Sequence, residues 1–292
     1  MLFSIIIVNY RTPEITADCL RSLFRFYDPT QSEIIVVDNA SGDDSPDKLR
    51  QEFGEQIRLI ENGHNAGFGA ANNRGAAVAK GNYLFFLNSD TIIKDNIFNK
   101  LAEVLGNLES SRPEIGVFGP RLLGEDGREQ AGAAGANPSL YGIIAGKLAG
   151  GRQQISDRKM GGVNQTKPTK AVGASVLTYD WISGAALIIS RRLFDAIGGW
   201  DENFFLYFED ADLCRRAKQK GRQAALLNDI KIIHRGGQSF PNSRQQKKYY
   251  YQSQNYYWKK YYGPTTTTLM KIIRWPYKLS RLSRNNHSEY IF

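Results

Sequence analysis

The feature that most constrains this chain is the order of its apolar runs. Phe3–Asn9, Glu33–Asp38, Ile57–Glu61 and Tyr83–Asn88 are each of strand length and nearly continuous in apolar residues. Such runs suit strands buried on both faces of a sheet. Between them lie stretches with helical spacing. Thr12-Pro13 offers a cap and a first helical residue, and Leu20, Leu23, Phe24 and Tyr27 then recur at i, i+3, i+4 and i+7. An alanine-rich helix over 70–79 precedes the fourth strand. Strands alternating with crossover helices predict an α/β protein with parallel pairing.

The pattern continues less regularly. Ile115–Phe118, Gly184–Ser190 and Ile230–His234 read as strands, and Arg192–Ile197 and Asp210–Lys220 as helices. Ten glycines between Gly124 and Gly162, with little periodicity, predict a mobile binding loop. A chain of 292 residues can bury a large core in one big domain or two packed halves. No apolar run approaches the roughly 20 residues of a membrane span. The first residues run straight into a strand without a basic leader, so a cytoplasmic location is expected. Cys19 and Cys214 each fall in an amphipathic helix, which favours packing over a bridge or a metal site.

Charge separates the C-terminal segment from the body. Residues 230–288 hold twelve of the 38 Lys and Arg and no acid; the remaining 26 face 29 acidic residues, leaving the body at −3. That balance argues against nucleic-acid binding by the body and turns the tail toward phosphates or lipid headgroups. In the tail, Tyr249–Tyr251, Tyr256, Tyr257, Trp258, Tyr261 and Tyr262 interleave with Lys247, Lys248, Lys259 and Lys260. This composition suits an anionic membrane surface, and equally a helix packed on the body.

Three early strands end in polar side chains: Asn9, Asp38-Asn39 and Asn88-Ser89-Asp90. Open α/β sheets bind ligands outside such ends, although any one of these residues also suits a turn. Gly67-Phe68-Gly69 ahead of a helix is placed to offer backbone N–H groups to a phosphate. It is no dinucleotide fingerprint, because Asn72 stands where the third glycine belongs. Glu209, Asp210 and Asp212 open a helix that closes with Arg215, Arg216, Lys218 and Lys220. The macrodipole accounts for that polarity and keeps Asp210 ionised, but three clustered acids exceed what capping needs.

Taken in order, Ser4-Ile5-Ile6-Ile7-Val8-Asn9-Tyr10, Val37-Asp38-Asn39-Ala40-Ser41-Gly42-Asp43, Asn65-Ala66-Gly67-Phe68-Gly69 through Asn73, and Asn88-Ser89-Asp90 resemble family 2 glycosyltransferases, in particular a bacterial rhamnosyltransferase-like branch. The resemblance continues through Trp181-Ile182-Ser183-Gly184, Gly199-Trp200-Asp201, Phe208-Glu209-Asp210-Ala211-Asp212 and His234. It implies a GT-A fold, a Rossmann-like mixed but mainly parallel sheet flanked by helices, over 1–240. Residues 1–110 would bind the nucleotide-sugar, 111–240 the acceptor, and 241–292 would form a basic aromatic extension. It implies an inverting enzyme, with Asp210 as the catalytic base and Asn9, Asp38, Asn65, Gly67, Asn72 and Asn88 binding the donor. Trp181, Gly184, Glu209 and Asp212 would bind the acceptor, and Asp90 and His234 would hold Mg2+ or Mn2+, with Asn88 in place of the first Asp of the family's DxD. The implied partners are a nucleoside-diphosphate sugar, rhamnose among the candidates, a polyprenyl-diphosphate-linked surface glycan and the inner face of the plasma membrane. A catalytically silent nucleotide-sugar or lipid-binding scaffold and a sugar-phosphate nucleotidyltransferase are the alternatives.

Overall fold

The computed structural model describes residues 3–139, 168, 170–171, 175–237 and 243–285. The first half runs β1 (Phe3–Asn9), α1 (Pro13–Phe24), β2 (Ser32–Asp38), α2 (Ser45–Phe53), β3 (Arg58–Glu61), α3 (Phe68–Val78), β4 (Tyr83–Asn88), β5 (Thr91–Ile92) and α4 (Phe98–Ser111). Then come β6 (Ile115–Leu123), β7 (Ala134–Gly135), β8 (Lys170–Ala171), β9 (Val176–Tyr179), β10 (Trp181–Ile182), β11 (Ala186–Ser190), α5 (Arg191–Ala196), α6 (Glu209–Gln219), β12 (Gln223–His234) and the helical segment α7 (Ser243–Asn285).

The sheet has the order β3-β2-β1-β4-β11-β6-β12-β9-β8, with β5 added on β12. β1 to β4 pair in parallel, as their continuous apolar character predicts. Both faces are covered. Ile5 and Ile7 pack with Leu20, Leu23, Phe85 and Leu101 on one side, while Ile6 packs with Val37, Phe86, Trp200 and Leu213 on the other. β11 runs antiparallel to both β4 and β6, and β12 returns parallel to β6. The mixed α/β sheet expected from the sequence is therefore present, with its reversal at β11. Both cysteines are buried and unbridged.

The sequence-based boundaries shift in places. β12 spans twelve residues, with an irregularity between Leu227 and Lys231, rather than only Ile230–His234. α3 starts at Phe68, two residues ahead of the alanine run. Of the glycine-rich stretch, 124–139 form a tight turn and β7; the rest lies outside the described residues.

α7 resolves the two readings of the tail. It is broken at Gly263, where φ is 82° and ψ 171°, and Pro264 restarts it. Before the break it packs on the body: Tyr257 and Trp258 are fully buried, and Tyr262 Oη donates to Pro138 O at 2.8 Å. The membrane-interface reading is corrected for Tyr256, Tyr257, Trp258, Lys260, Tyr261 and Tyr262, whose side chains contact protein. Among the described residues no helix is long and apolar enough to cross a membrane.

Gly67 marks the tightest approach near the site. Its φ of 88° and ψ of 172° lie in a region open to glycine, and a Cβ there would sit 2.5 Å from Phe205 O and 2.9 Å from Phe205 Cα. Gly67→Ala should therefore destabilise the fold by at least about 2 kcal/mol in urea denaturation. An unchanged midpoint would show that the turn relaxes freely.

Candidate active site

The carboxyl ends of β1, β2 and β4 are brought level by register, with Asn9 opposite Asp38 and Val8 opposite Asn88. Asp38 is only 2% exposed. Its Oδ1 accepts from Asn9 Nδ2 at 2.7 Å and from Ser41 Oγ at 2.5 Å, and its Oδ2 accepts from Ser41 N–H at 3.0 Å. Asn9 is fully buried and also accepts from Thr16 Oγ1 at 2.7 Å. Asn9 thus orients Asp38 from below rather than presenting its own amide to a ligand.

Asn39, which the sequence reading left without a role, is a hub. Its Nδ2 donates to Asn65 Oδ1 at 2.9 Å, and its Oδ1 accepts from Asn62 Nδ2 at 2.9 Å and Ala66 N–H at 3.2 Å. This net shapes the loop that opens α3, but not as an open phosphate cradle. Gly67 N–H donates to Asn65 Oδ1 at 3.1 Å, and Phe68 N–H to Phe205 O at 2.9 Å. The expectation that these N–H groups face a phosphate is corrected: the chain itself satisfies them. Asn72 is 1% exposed and donates to Phe68 O within α3, so it sits in the helix interior away from the edge.

Pairing of β5 with β12 sets His234 opposite Thr91 and so beside Asp90. His234 Nε2 lies 3.2 Å from Asp90 Oδ1 and 3.5 Å from the Asn88 amide nitrogen. The other ring nitrogen, Nδ1, is 2.7 Å from Gln130 Oε1, and Gln130 Nε2 donates to His234 O at 2.5 Å. A carbonyl oxygen can only accept, so Nδ1 carries a proton and Nε2 is turned toward Asp90. Metal-binding histidines are held in this way. No local sequence signal marks Gln130 for the task. Among the described residues no three His, Cys, Asp or Glu side chains converge on a metal position. One carboxylate and one imidazole fit a cation that takes its remaining ligands from water and a diphosphate, as Mg2+ commonly does.

Asp210 stands in the first turn of α6, half-buried, where its Oδ2 accepts from Gly184 N–H at 3.2 Å and its Oδ1 from Ala211 N–H at 2.7 Å. Gly184 allows the approach, since its α-carbon faces both the Phe68 ring and Asp210. Asn88 N–H donates to Ala185 O at 2.9 Å. One run of backbone, Gly184-Ala185, thereby ties the Asp210 carboxylate to the strand end that carries Asn88 and Asp90. Burial raises the pKa of Asp210 above the ordinary carboxylate range, and the bonds from Gly184 and Ala211 offset it only in part. The expectation that the helix terminus would hold its basicity down is reversed, because desolvation outweighs these backbone bonds.

Glu209 and Asp212 differ from Asp210. Glu209 is 6% exposed and its Oε2 has no hydrogen-bond partner. Burial, with the Asp210 charge adding to it, pushes Glu209 well above the usual range. Asp212 is fully buried, bonded to Arg216 Nε at 2.7 Å, Lys260 Nζ at 2.5 Å and Tyr261 Oη at 2.6 Å. Those contacts fasten α7 to α6, so Asp212 is corrected from acceptor contact to anchor. Trp181 is 8% exposed and donates through Nε1 to Ala136 O at 2.9 Å, in the small sheet of β7 and β10.

A raised acid makes a signed prediction. Between its unfolded and folded pKa, the folded state binds the extra proton, so stability falls as pH rises through that window. Glu209→Gln removes the titration and should flatten the decline above about pH 5 by up to about 1.4 kcal/mol per pH unit. Urea midpoints of parent and variant at pH 5, 7 and 9 measure it, and parallel curves would mean that Glu209 is ionised and paired.

Known proteins resemble this chain in sequence and in fold. Residues 4–114 match the model of Glycosyl transferase family 2. An N-acetylglucosaminyl-diphospho-decaprenol L-rhamnosyltransferase of Mycobacterium tuberculosis is 25% identical over 223 residues, covering 70% of this chain and 67% of the relative. The dTDP-rhamnosyl transferase RfbF of Shigella flexneri is 26% identical over 204 residues, 69% of this chain and 59% of that protein. Among solved structures, the mannosyltransferase PcManGT of Pyrobaculum calidifontis, in complex with GDP-Man and Mn2+, superposes with a TM-score of 0.53 at 15% identity. That match covers 81% of this chain and 57% of the solved one, so the chain spans little more than half of it. Over residues 4–114 the chain is similar to glycosyl transferase family 2, along most of its length it resembles bacterial rhamnosyltransferases, and its fold is that of GT-A glycosyltransferases.

Proposed function

We propose that this protein is an inverting, metal-dependent rhamnosyltransferase that uses a dTDP-linked donor and an N-acetylglucosaminyl-diphosphate acceptor on a polyprenol. The observation that carries the reading is the Asp210 carboxylate, anchored by Gly184 and joined through Ala185 to the strand end bearing Asn88 and Asp90. The names of the mycobacterial and Shigella relatives support the acceptor and the donor respectively.

In this reading Asp38 accepts a hydrogen bond from the nucleoside, while Asp90, His234 and Asn88 lie at the diphosphate. A divalent cation held by Asp90 and His234 would neutralise charge on the departing diphosphate. The acceptor hydroxyl attacks the anomeric carbon, the carbon–diphosphate bond breaks with its electron pair leaving on the nucleotide, and the proton goes to Asp210. One displacement inverts the anomeric centre. The elevated basicity of Asp210 suits it to a proton that becomes acidic only as the new bond forms.

Asp210→Asn should lower kcat by at least about a hundredfold while dTDP affinity stays within a factor of two or so. Asp90→Ala and chelator should instead weaken nucleotide binding and turnover together. A fully active Asp210→Asn enzyme, assayed with dTDP-rhamnose and saturating acceptor, would overturn the assignment of the base.

Membrane contact is assigned to the part of α7 beyond Gly263. Leu269 and Ile272, 43% and 56% exposed, flank the exposed Lys271 on the helix surface. Leu269→Asp with Ile272→Asp should reduce sedimentation with phosphatidylglycerol vesicles and activity on a long-chain acceptor, while sparing a short-chain one. Equal sedimentation of parent and variant would rule this face out.

A further inference from the structure

The turn that delivers Asp210 is held in an unusual conformation from outside the catalytic body. Tyr207 and Phe208, the two residues before Glu209-Asp210, are both left-handed, with φ of 72° and 70°. Bulky side chains rarely adopt this backbone, and such residues persist only where their surroundings over-determine them. α6 adds its ordinary first-turn bond, Asp212 N–H to Phe208 O at 2.9 Å, which leaves the φ of Tyr207 and Phe208 unset.

The surroundings that do so belong to the C-terminal helix. Ser253, 3% exposed, donates through Oγ to Leu206 O at 2.8 Å. Tyr249 stacks on Phe205 with ring centres 4.1 Å apart. Tyr250 meets Tyr207 at 6.0 Å and Phe208 at 5.3 Å, and Tyr257 meets Phe208 at 5.6 Å. On the opposite side Phe205 O receives the Phe68 N–H. The turn is clamped between the start of α3 and α7.

We propose that Tyr250 and Ser253 are positioning residues for sugar transfer: by holding Leu206–Phe208 in this left-handed turn, they fix where the Asp210 carboxylate stands. The proposal rests on Asp210 being the base. Packing alone needs no strained turn, and of the two bonds to the carboxylate the one from Ala211 moves with the same turn, which leaves the 3.2 Å contact with Gly184 too little to locate it. Misplacement of a reacting group by an ångström can cost about a hundredfold in rate.

The test uses the full chain with dTDP-rhamnose, Mn2+ and an N-acetylglucosaminyl-diphosphate carrying a short alkyl chain. Ser253→Ala and Tyr250→Leu should each speed hydrogen exchange of amides 206–211 by about tenfold or more, leaving the β1 and β4 amides unchanged. Each should lower kcat by about tenfold or more, with dTDP affinity and donor KM within about a factor of two. Tyr250→Phe, which keeps the ring, should restore kcat to within about threefold of the parent. Unchanged exchange at 206–211, or a loss of kcat matched by a loss of dTDP binding, overturns the proposal. Should Tyr250→Leu fail to fold, Ser253→Ala, which removes a single oxygen, decides alone. Asp210→Asn run alongside separates the two claims. If it is inactive while the helix variants keep full kcat, the base stands and the clamp falls; if it is active, the base reading falls and the clamp with it.

Discussion

The antiparallel seam between β4 and β11 is the contact on which the rest of this molecule depends. Without it the chain would be two half-sheets, one parallel and built from β1 to β4, the other built around β6 and β12. The seam pairs Leu87 with Ala186 and Tyr83 with Ser190, all but the last in the buried core. It also places the turn Ser183-Gly184-Ala185 directly over the end of β4. A strand entering in parallel would present its other end there, and Gly184 N–H would not meet Asp210. One reversal of direction therefore stitches the core and composes the site.

The second organising element is electrostatic. Asp212, fully buried, is compensated by Arg216, Lys260 and Tyr261, and Lys260 extends the net to Asp201, whose pKa is lowered to about 2 by the hydrogen bond from Lys260 despite burial. Ion pairs of this kind are poor sources of net stability, because desolvation offsets attraction, but removal of one partner leaves a stranded charge. Their value here is directional: α7 can dock on α6 in one register only. Glu209 lacks any such compensation and burial pushes its pKa well above the usual range, so two acids three residues apart on one helix meet burial in opposite ways.

Legibility from the sequence followed how local the determinant was. β1 to β4 were readable because two covered faces leave an uninterrupted apolar run, and α1 because Pro13 and the Leu20–Tyr27 spacing are local. α4 carries Leu101, Leu105 and Leu108 on one face and was equally open to that reading. β12 was truncated because Asn228 and Asp229 interrupt its apolar run at the irregularity, where pairing partners rather than composition keep it extended. Asp90, His234 and Asp210 were singled out by motif, but what surrounds them was not. Gln130 meets His234 across 104 positions of sequence, and Asn39 was hidden beside the more conspicuous Asp38. The tail's aromatic and basic composition could not decide between lipid and protein, since the same amphipathic side chains serve both; only the break at Gly263 divides it.

Asn88, where a second carboxylate is expected, is consistent with the rest of the edge. A carboxylate at 88 would stand with Asp90 beside His234 Nε2, and the two would repel in the absence of a cation. An amide at 88 relieves that repulsion and contacts Nε2 directly. In the proposed reading such a site would attract a divalent cation only weakly until a diphosphate added its oxygens. Cation and nucleotide would then bind with positive linkage, each supplying ligands or charge that the other lacks. Nucleotide departure would in turn loosen the cation, so a single carboxylate would tie metal residence to the presence of the donor.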